Sequence, residues 1–164
     1  MRHHRLLIAV LVMTLALAGC SRMHGEAELE QSRTQVVEAA RSDLPAFAEA
    51  LDAEIEDSWG RWSAGGAKNN YQLAYDAEMR LVGTAATSDE MADAITDLGY
   101  ELIRNDSVGV MGERGDLTFF ASNRHDIYRA YVSGPYLRTE TGIVSAGRED
   151  LDLPGHDTDP AESD

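Results

Sequence analysis

Apolar residues recur every three or four positions from Glu26 to about Trp62: Val36, Ala40, Leu44, Phe47, Leu51, Ile55, Trp59 and Trp62. Glu38, Arg41, Glu49, Asp52, Glu56 and Arg61 fall between them, so the spacing predicts amphipathic helix across this stretch. Pro45 cannot donate an interior helical bond and suits a first turn, which predicts two helices meeting near Ser42 or one kinked helix. Gly60 and the loop 64–70 end the segment. The period then changes to two. Tyr71, Leu73, Tyr75, Ala77, Met79 and Leu81 alternate with Gln72, Ala74, Asp76, Glu78 and Arg80, the pattern of a half-buried strand with one polar face.

Thr87 and Glu90 stand at capping-box spacing before a helical face of Met91, Ile95 and Leu98, and Gly99 is its expected stop. Short extended pieces follow at 100–104, from Val108, at 117–121 and at 127–132, separated by turns rich in Gly, Asn and Asp. After Tyr136 the apolar content collapses, and 148–164 is dominated by Asp and Glu broken by Pro154, Gly155 and Pro160. This reads as an acidic, disordered tail over 136–164. The order helix, strand, helix, short strands predicts an α+β domain over 26–135. Amphipathic helices would pack on one face of a mainly antiparallel sheet of about four strands, with the other face partly wet.

The first 20 residues have another pattern. Arg2, His3, His4 and Arg5 precede an uncharged run from Leu6 to Ala18, a signal-peptide core in length and flanks. The run is shorter than the roughly 20 residues needed to span a bilayer. It closes on Leu17-Ala18-Gly19-Cys20, which resembles the lipobox of bacterial lipoproteins. The resemblance implies cleavage between Gly19 and Cys20, a diacylglycerol on the Cys20 thiol and a lipid-anchored chain on the extracytoplasmic face of a membrane. Residues 1–19 would be the signal peptide and 20–25 a lipidated tether. Ser21 after the cysteine is not the aspartate that usually retains such proteins at an inner membrane. Cys20 is the sole cysteine, so it cannot form an internal disulfide. The domain, with its tryptophan-ending first helix and Leu98-Gly99-Tyr100 stop, looks like small lipoproteins of high-GC Gram-positive bacteria. That likeness carries no activity with it.

Charge narrows the partners. Cleavage would remove Arg2 and Arg5 from 14 basic residues and none of the 29 acids, leaving 12 and a net charge of −17. Such a chain is unsuited to nucleic acid, which needs clustered Lys and Arg, and to anionic headgroups. Membrane attachment therefore falls to the anchor.

Catalytic and metal patterns are sparse. His24, His125 and His156 are far apart, and without a cysteine pair there is no zinc spacing, so no metal or cofactor is expected. The tail fails as a calcium loop because Pro154 and Ala161 stand where ligands belong. Ser133 lacks the Gly-x-Ser-x-Gly context of a hydrolase elbow, and Gly109, Gly112 and Gly115 do not form a phosphate loop. Arg114-Gly115-Asp116 reads as a turn. The candidate ligand-facing residues are aromatic: Trp59 and Trp62 on one expected helix face, and Tyr71 and Tyr75 on the inward face of the strand. Core packing is the commoner role for both sets, and Tyr128 and Tyr131, also on strands, could line a groove with them. Three readings follow: a non-enzymatic binding domain, an accessory subunit whose envelope partner covers the wet sheet face, and a hydrolase whose Asp76 and Glu78 face a cleft.

Overall fold

The computed structural model describes residues 23–67, 70–124, 127–142 and 147–154. The leader, Gly19, Cys20, His125 and His156 lie outside these residues. Helix α1 (Glu26–Ala50) leads into strands β1 (Glu54–Ala67) and β2 (Asn70–Val82), helix α2 (Ser88–Asp97), and β3 (Glu101–Asp106). Strands β4 (Gly109–Arg114), β5 (Leu117–Arg124), β6 (Ile127–Ser133), β7 (Leu137–Thr139) and β8 (Glu149–Asp150) complete the chain. The α+β class is as expected, but the sheet has eight strands rather than about four. Every pairing is antiparallel, in the order β3-β4-β5-β6-β2-β1-β8, with β7 beside the start of β2.

One correction supplies the extra long strand. The helix expected to reach Trp62 stops at Ala50, and residues 54–67 form β1. The stop is a Schellman motif in which Asp52 takes the left-handed position, with φ +50°. Its N–H donates to Glu49 O at 3.1 Å, and Ala53 N–H donates to Ala48 O at 2.9 Å. Glycine usually fills that position, so the sequence carries no conspicuous stop there. Within its length α1 is one helix that runs through Pro45.

A second correction concerns the tail. Leu137–Thr139 pairs with Tyr71–Leu73, and Glu149 and Asp150 pair with Gly60 and Trp59. Leu151 and Leu153 are buried in the same core as the helices. Residues 147–154 form a strap along the edge of β1, and the domain therefore extends well past residue 135.

Both helices cover one sheet face. The buried stripe of α1 is Ser32, Val36, Ala40, Asp43, Leu44, Phe47 and Ala48, a helical repeat. It meets Tyr75, Ala77 and Met79 of β2 and Ala130 and Val132 of β6 in one cluster. Phe119 lies at the centre, its ring 5.0 Å from Phe47 and 5.4 Å from Tyr100. Two glycines permit close approach. A Cβ at Gly134 would press on Ser32 Oγ and Val36 Cγ2 of α1, and a Cβ at Gly60 would overlap the Tyr75 hydroxyl.

The start of α2 is as its sequence predicts. Glu90 N–H donates to Thr87 Oγ1 at 3.3 Å, and Thr87 N–H donates to Glu90 Oε2 at 2.7 Å. The Thr87 N–H and the Thr87 hydroxyl, both donating to Glu90 Oε2, hold that carboxyl below its ordinary range. Thr87→Ala should cost about 1 kcal/mol, measured by urea unfolding.

Candidate functional site

The sheet face turned away from the helices carries the polar chemistry, and register assembles it from five of the long strands and from β3. One rung reads Trp59, Glu78, Tyr131, Phe120, Met111 and Arg104 across β1, β2, β6, β5, β4 and β3. The next reads Arg61, Asp76, Ser133, Thr118 and Glu113. A third places Asp57, Arg80, Arg129 and Ser122 side by side.

The first rung is aromatic with arginine covers. Phe120 and Tyr131 stack with centroids 5.1 Å apart, and the Arg104 guanidinium lies 5.4 Å from the Phe120 centroid. Arg148 of the strap sits 4.0 Å over Trp59 and donates to Asp57 at 2.5 Å. That bond holds the Asp57 carboxyl below its usual range. These contacts combine cation–π attraction with burial of apolar ring faces.

Glu78 sits between the Trp59 and Tyr131 positions and is only 5% exposed. Arg61 and Arg129 approach its two oxygens at 3.4 and 3.8 Å. Burial pushes its pKa up, and the two guanidinium groups oppose that rise. A carboxyl whose pKa is higher in the folded state binds an extra proton on folding. Stability then falls as pH rises from the ordinary glutamate value of about 4.5 through the raised one, and levels above it. Glu78→Gln should remove this contribution, so that the difference between the urea midpoints of the variant and the parent changes as pH rises above about 4.5.

Asp76 is two residues away on the same face and is held by hydroxyls. Ser133 Oγ donates to Oδ1 at 2.6 Å and Ser63 Oγ donates to Oδ2. Asp76 lines a groove of about 490 Å³ with Glu113, Asp116, Thr118, Tyr131 and Tyr136 among its walls. Asp76 and Glu78 are thus not two free carboxylates on a flat surface. One is oriented beside a groove, and the other is buried in an ion-pair cluster.

The expected aromatic sets divide. Trp59 and Trp62 lie on a strand three residues apart, which puts them on opposite sheet faces. Trp59 belongs to the open face. Trp62 packs edge-on against Tyr75 beneath the helices, 5.2 Å between centroids. Tyr75 is fully buried, and its hydroxyl donates to Glu149 of the strap. Desolvation and that carboxylate push the Tyr75 pKa up. Tyr71, one strand-turn earlier, is exposed near the β1–β2 end. No shared aromatic platform therefore joins these four residues. Of the two later strand tyrosines, Tyr131 faces the opposite way from Tyr128 on β6 and lines the groove beside Asp76.

Among the described residues, no group of three or more His, Cys, Asp or Glu side chains is arranged to hold a metal ion, and no helix is long and apolar enough to cross a membrane. The fold and site define an α+β domain with one covered and one open sheet face. No protein-family model, curated protein or solved structure matches the chain.

Proposed function

We propose that this protein is a lipid-anchored component of a bacterial envelope whose domain works by binding rather than by catalysis. The leader and Cys20 support the location. The open sheet face supports the binding role, because it carries preset groups: a stacked aromatic pair, arginines held by acids, and Asp76 fixed by two hydroxyls beside a groove. Rigid, pre-oriented side chains of this kind lower the ordering cost of association. The same face favours a second reading, an accessory subunit, since a protein partner would cover the stacked Phe120 and Tyr131 together. In both, Glu78 acts as the post that spaces Arg61 and Arg129. A hydrolytic role would need Asp76 or Glu78 released from these partners.

The test is a pull-down from detergent-solubilised envelope with the lipidated protein, using Cys20→Ser as control. Cys20→Ser is expected to remain uncleaved at this site and to carry no lipid. A variant that still partitions wholly with membranes after salt and carbonate washing would sink the anchor. A stoichiometric protein partner weakened by Tyr131→Ala would select the accessory-subunit reading, and its absence would favour a small ligand.

A further inference from the structure

The strands run from one end of the domain to the other, and the tether leaves from one of those ends. Met23, the first described residue, is followed by His24, whose N–H donates to Arg138 O of β7 at 2.8 Å. β7 in turn pairs with the start of β2 at Tyr71–Leu73. The tether therefore emerges beside the β1–β2 turn and β7. The β4–β5 turn points the same way but stops level with the middle of β2, because Thr118 is in register with Ser133 and Asp76.

Three large apolar side chains are exposed here: Met23 at 46%, Tyr71 at 40% and Tyr136 at 55%. Tyr71 belongs to the helix-side face and Tyr136 lies over Gly65 on the open side, so they flank the end from both sides. Between α1 and β7 a groove of about 610 Å³ brings Met23 together with Leu29, Leu73 and Thr139. Cys20 stands three residues before Met23, so even a fully extended connection spans only about 10 Å.

We infer that this end of the domain, through Met23, Tyr71 and Tyr136, rests on the bilayer interface that holds the Cys20 lipid. The inference depends on the anchor reading and adds to it the surface that meets the membrane. The short tether fixes which end must approach. A tyrosine ring with a polar hydroxyl suits the headgroup layer, and a methionine adds a flexible apolar contact. Glu26, Glu28 and Glu140 around the same end select a zwitterionic surface over an anionic one. The strands would then stand along the membrane normal. The groove beside Asp76, six residues along β2 from Asn70, would stand about 20 Å above that end, while the β3–β4 and β5–β6 turns would point away from the membrane.

The experiment uses lipidated protein in phosphatidylcholine vesicles, with single cysteines introduced at 23, 71 or 136 and, at the opposite end, at 108 or 127. Val108 and Ile127 are similarly exposed, at 45% and 41%, so they control for exposure alone. Each introduced cysteine is the only free thiol once Cys20 carries lipid, and a nitroxide there reports collisions with oxygen or with a water-soluble nickel complex. Oxygen should dominate at 23, 71 and 136, and nickel at 108 and 127. Vesicle flotation and the mass of each chain report the anchor separately. Chains that carry lipid and float, yet show nickel-dominated collisions at all five positions, would overturn the docking surface and leave the anchor standing. Oxygen-dominated collisions at 108 and 127 instead would overturn it in favour of the other end. A label rather than lipid on Cys20 would overturn both readings.

Discussion

Ending the chain after residue 146 will cost about 4–6 kcal/mol of stability, a large share of the roughly 5–15 kcal/mol that holds a domain together. Leu153 is 2% exposed and Leu151 is 9% exposed, and each fills core between the edge of β1 and the helices. A Leu→Ala change at such positions costs about 2–5 kcal/mol, so losing both sets the scale. The strap also satisfies backbone and side-chain groups. Leu151 N–H donates to Ser58 O at 3.2 Å, and the buried Ser58 hydroxyl donates to Leu151 O at 2.6 Å. Arg33 of α1 donates to the Glu149 carboxylate at 2.7 Å, and Tyr75 donates to the same oxygen. Urea unfolding followed by tryptophan fluorescence is a direct readout, because Arg148 covers Trp59 and Tyr75 touches Trp62. A loss below about 1 kcal/mol would show the strap to be peripheral. Leu153→Ala is the milder form of the test, with about 2–3 kcal/mol expected.

Asp43→Ala is the polar substitution expected to have a large effect on stability. Asp43 lies on the inner face of α1 and is 4% exposed. Its Oδ2 accepts from the Tyr100 hydroxyl at 2.6 Å and from Arg114 at 2.5 Å, and the Arg114 guanidinium lies 4.3 Å from the Tyr100 ring centroid. Burial, with the hydrogen bond to Asp43, pushes the Tyr100 pKa up. Removing the carboxylate strands a buried hydroxyl and a guanidinium. A fully buried pair broken this way costs about 3–5 kcal/mol, and the solvent access of Arg114 trims the expectation to about 3 kcal/mol. Tyr100→Phe removes only one donor and should cost about 1 kcal/mol. Near-equal losses for the two variants would mean that Arg114 contributes nothing. Arg114 reaches across to Leu98 O at 2.8 Å as well, so the Arg-Gly-Asp turn is tied inward to α2 at its first residue.

The elements whose signals are local were legible from sequence. Strict alternation identified β2, and Thr87 with Glu90 identified the start of α2. β1 was misread because Leu51, Ile55, Trp59 and Trp62 also satisfy a helical period, and the stop rests on Asp52 in a conformation that asparagine or glycine more often adopts. The strap was misread because composition hides it. Glu, Asp, Arg and Pro dominate 148–154, while two leucines alternating with Asp152 do the burying. The site was half visible. Asp76 and Glu78 share a polar strand face, as the pattern required. Their partners could not be read, because Ser63, Ser133, Arg61 and Arg129 reach them through strand register, with Ser133 57 residues from Asp76. Pairing Trp59 with Trp62 failed for the same reason: their period sets their face, and the period was that of a strand.

Arg33 and Glu149 are 116 residues apart, and their contact ties the first helix to the last strand. A chain delivered from its amino end presents α1 and the β1–β2 hairpin long before the strap arrives. The run from β3 to β6 closes through neighbouring hairpins, so that half of the sheet assembles from short-range contacts. The β1 side waits. Until residues 147–154 emerge, the Tyr75 hydroxyl lacks its acceptor, Leu151 and Leu153 leave their places in the core empty, and the edge at Trp59 and Gly60 is open to proteases or to foreign strands. Closure of the β1 edge thus waits on residues 147–154, and chains cut short before them leave that edge unpaired.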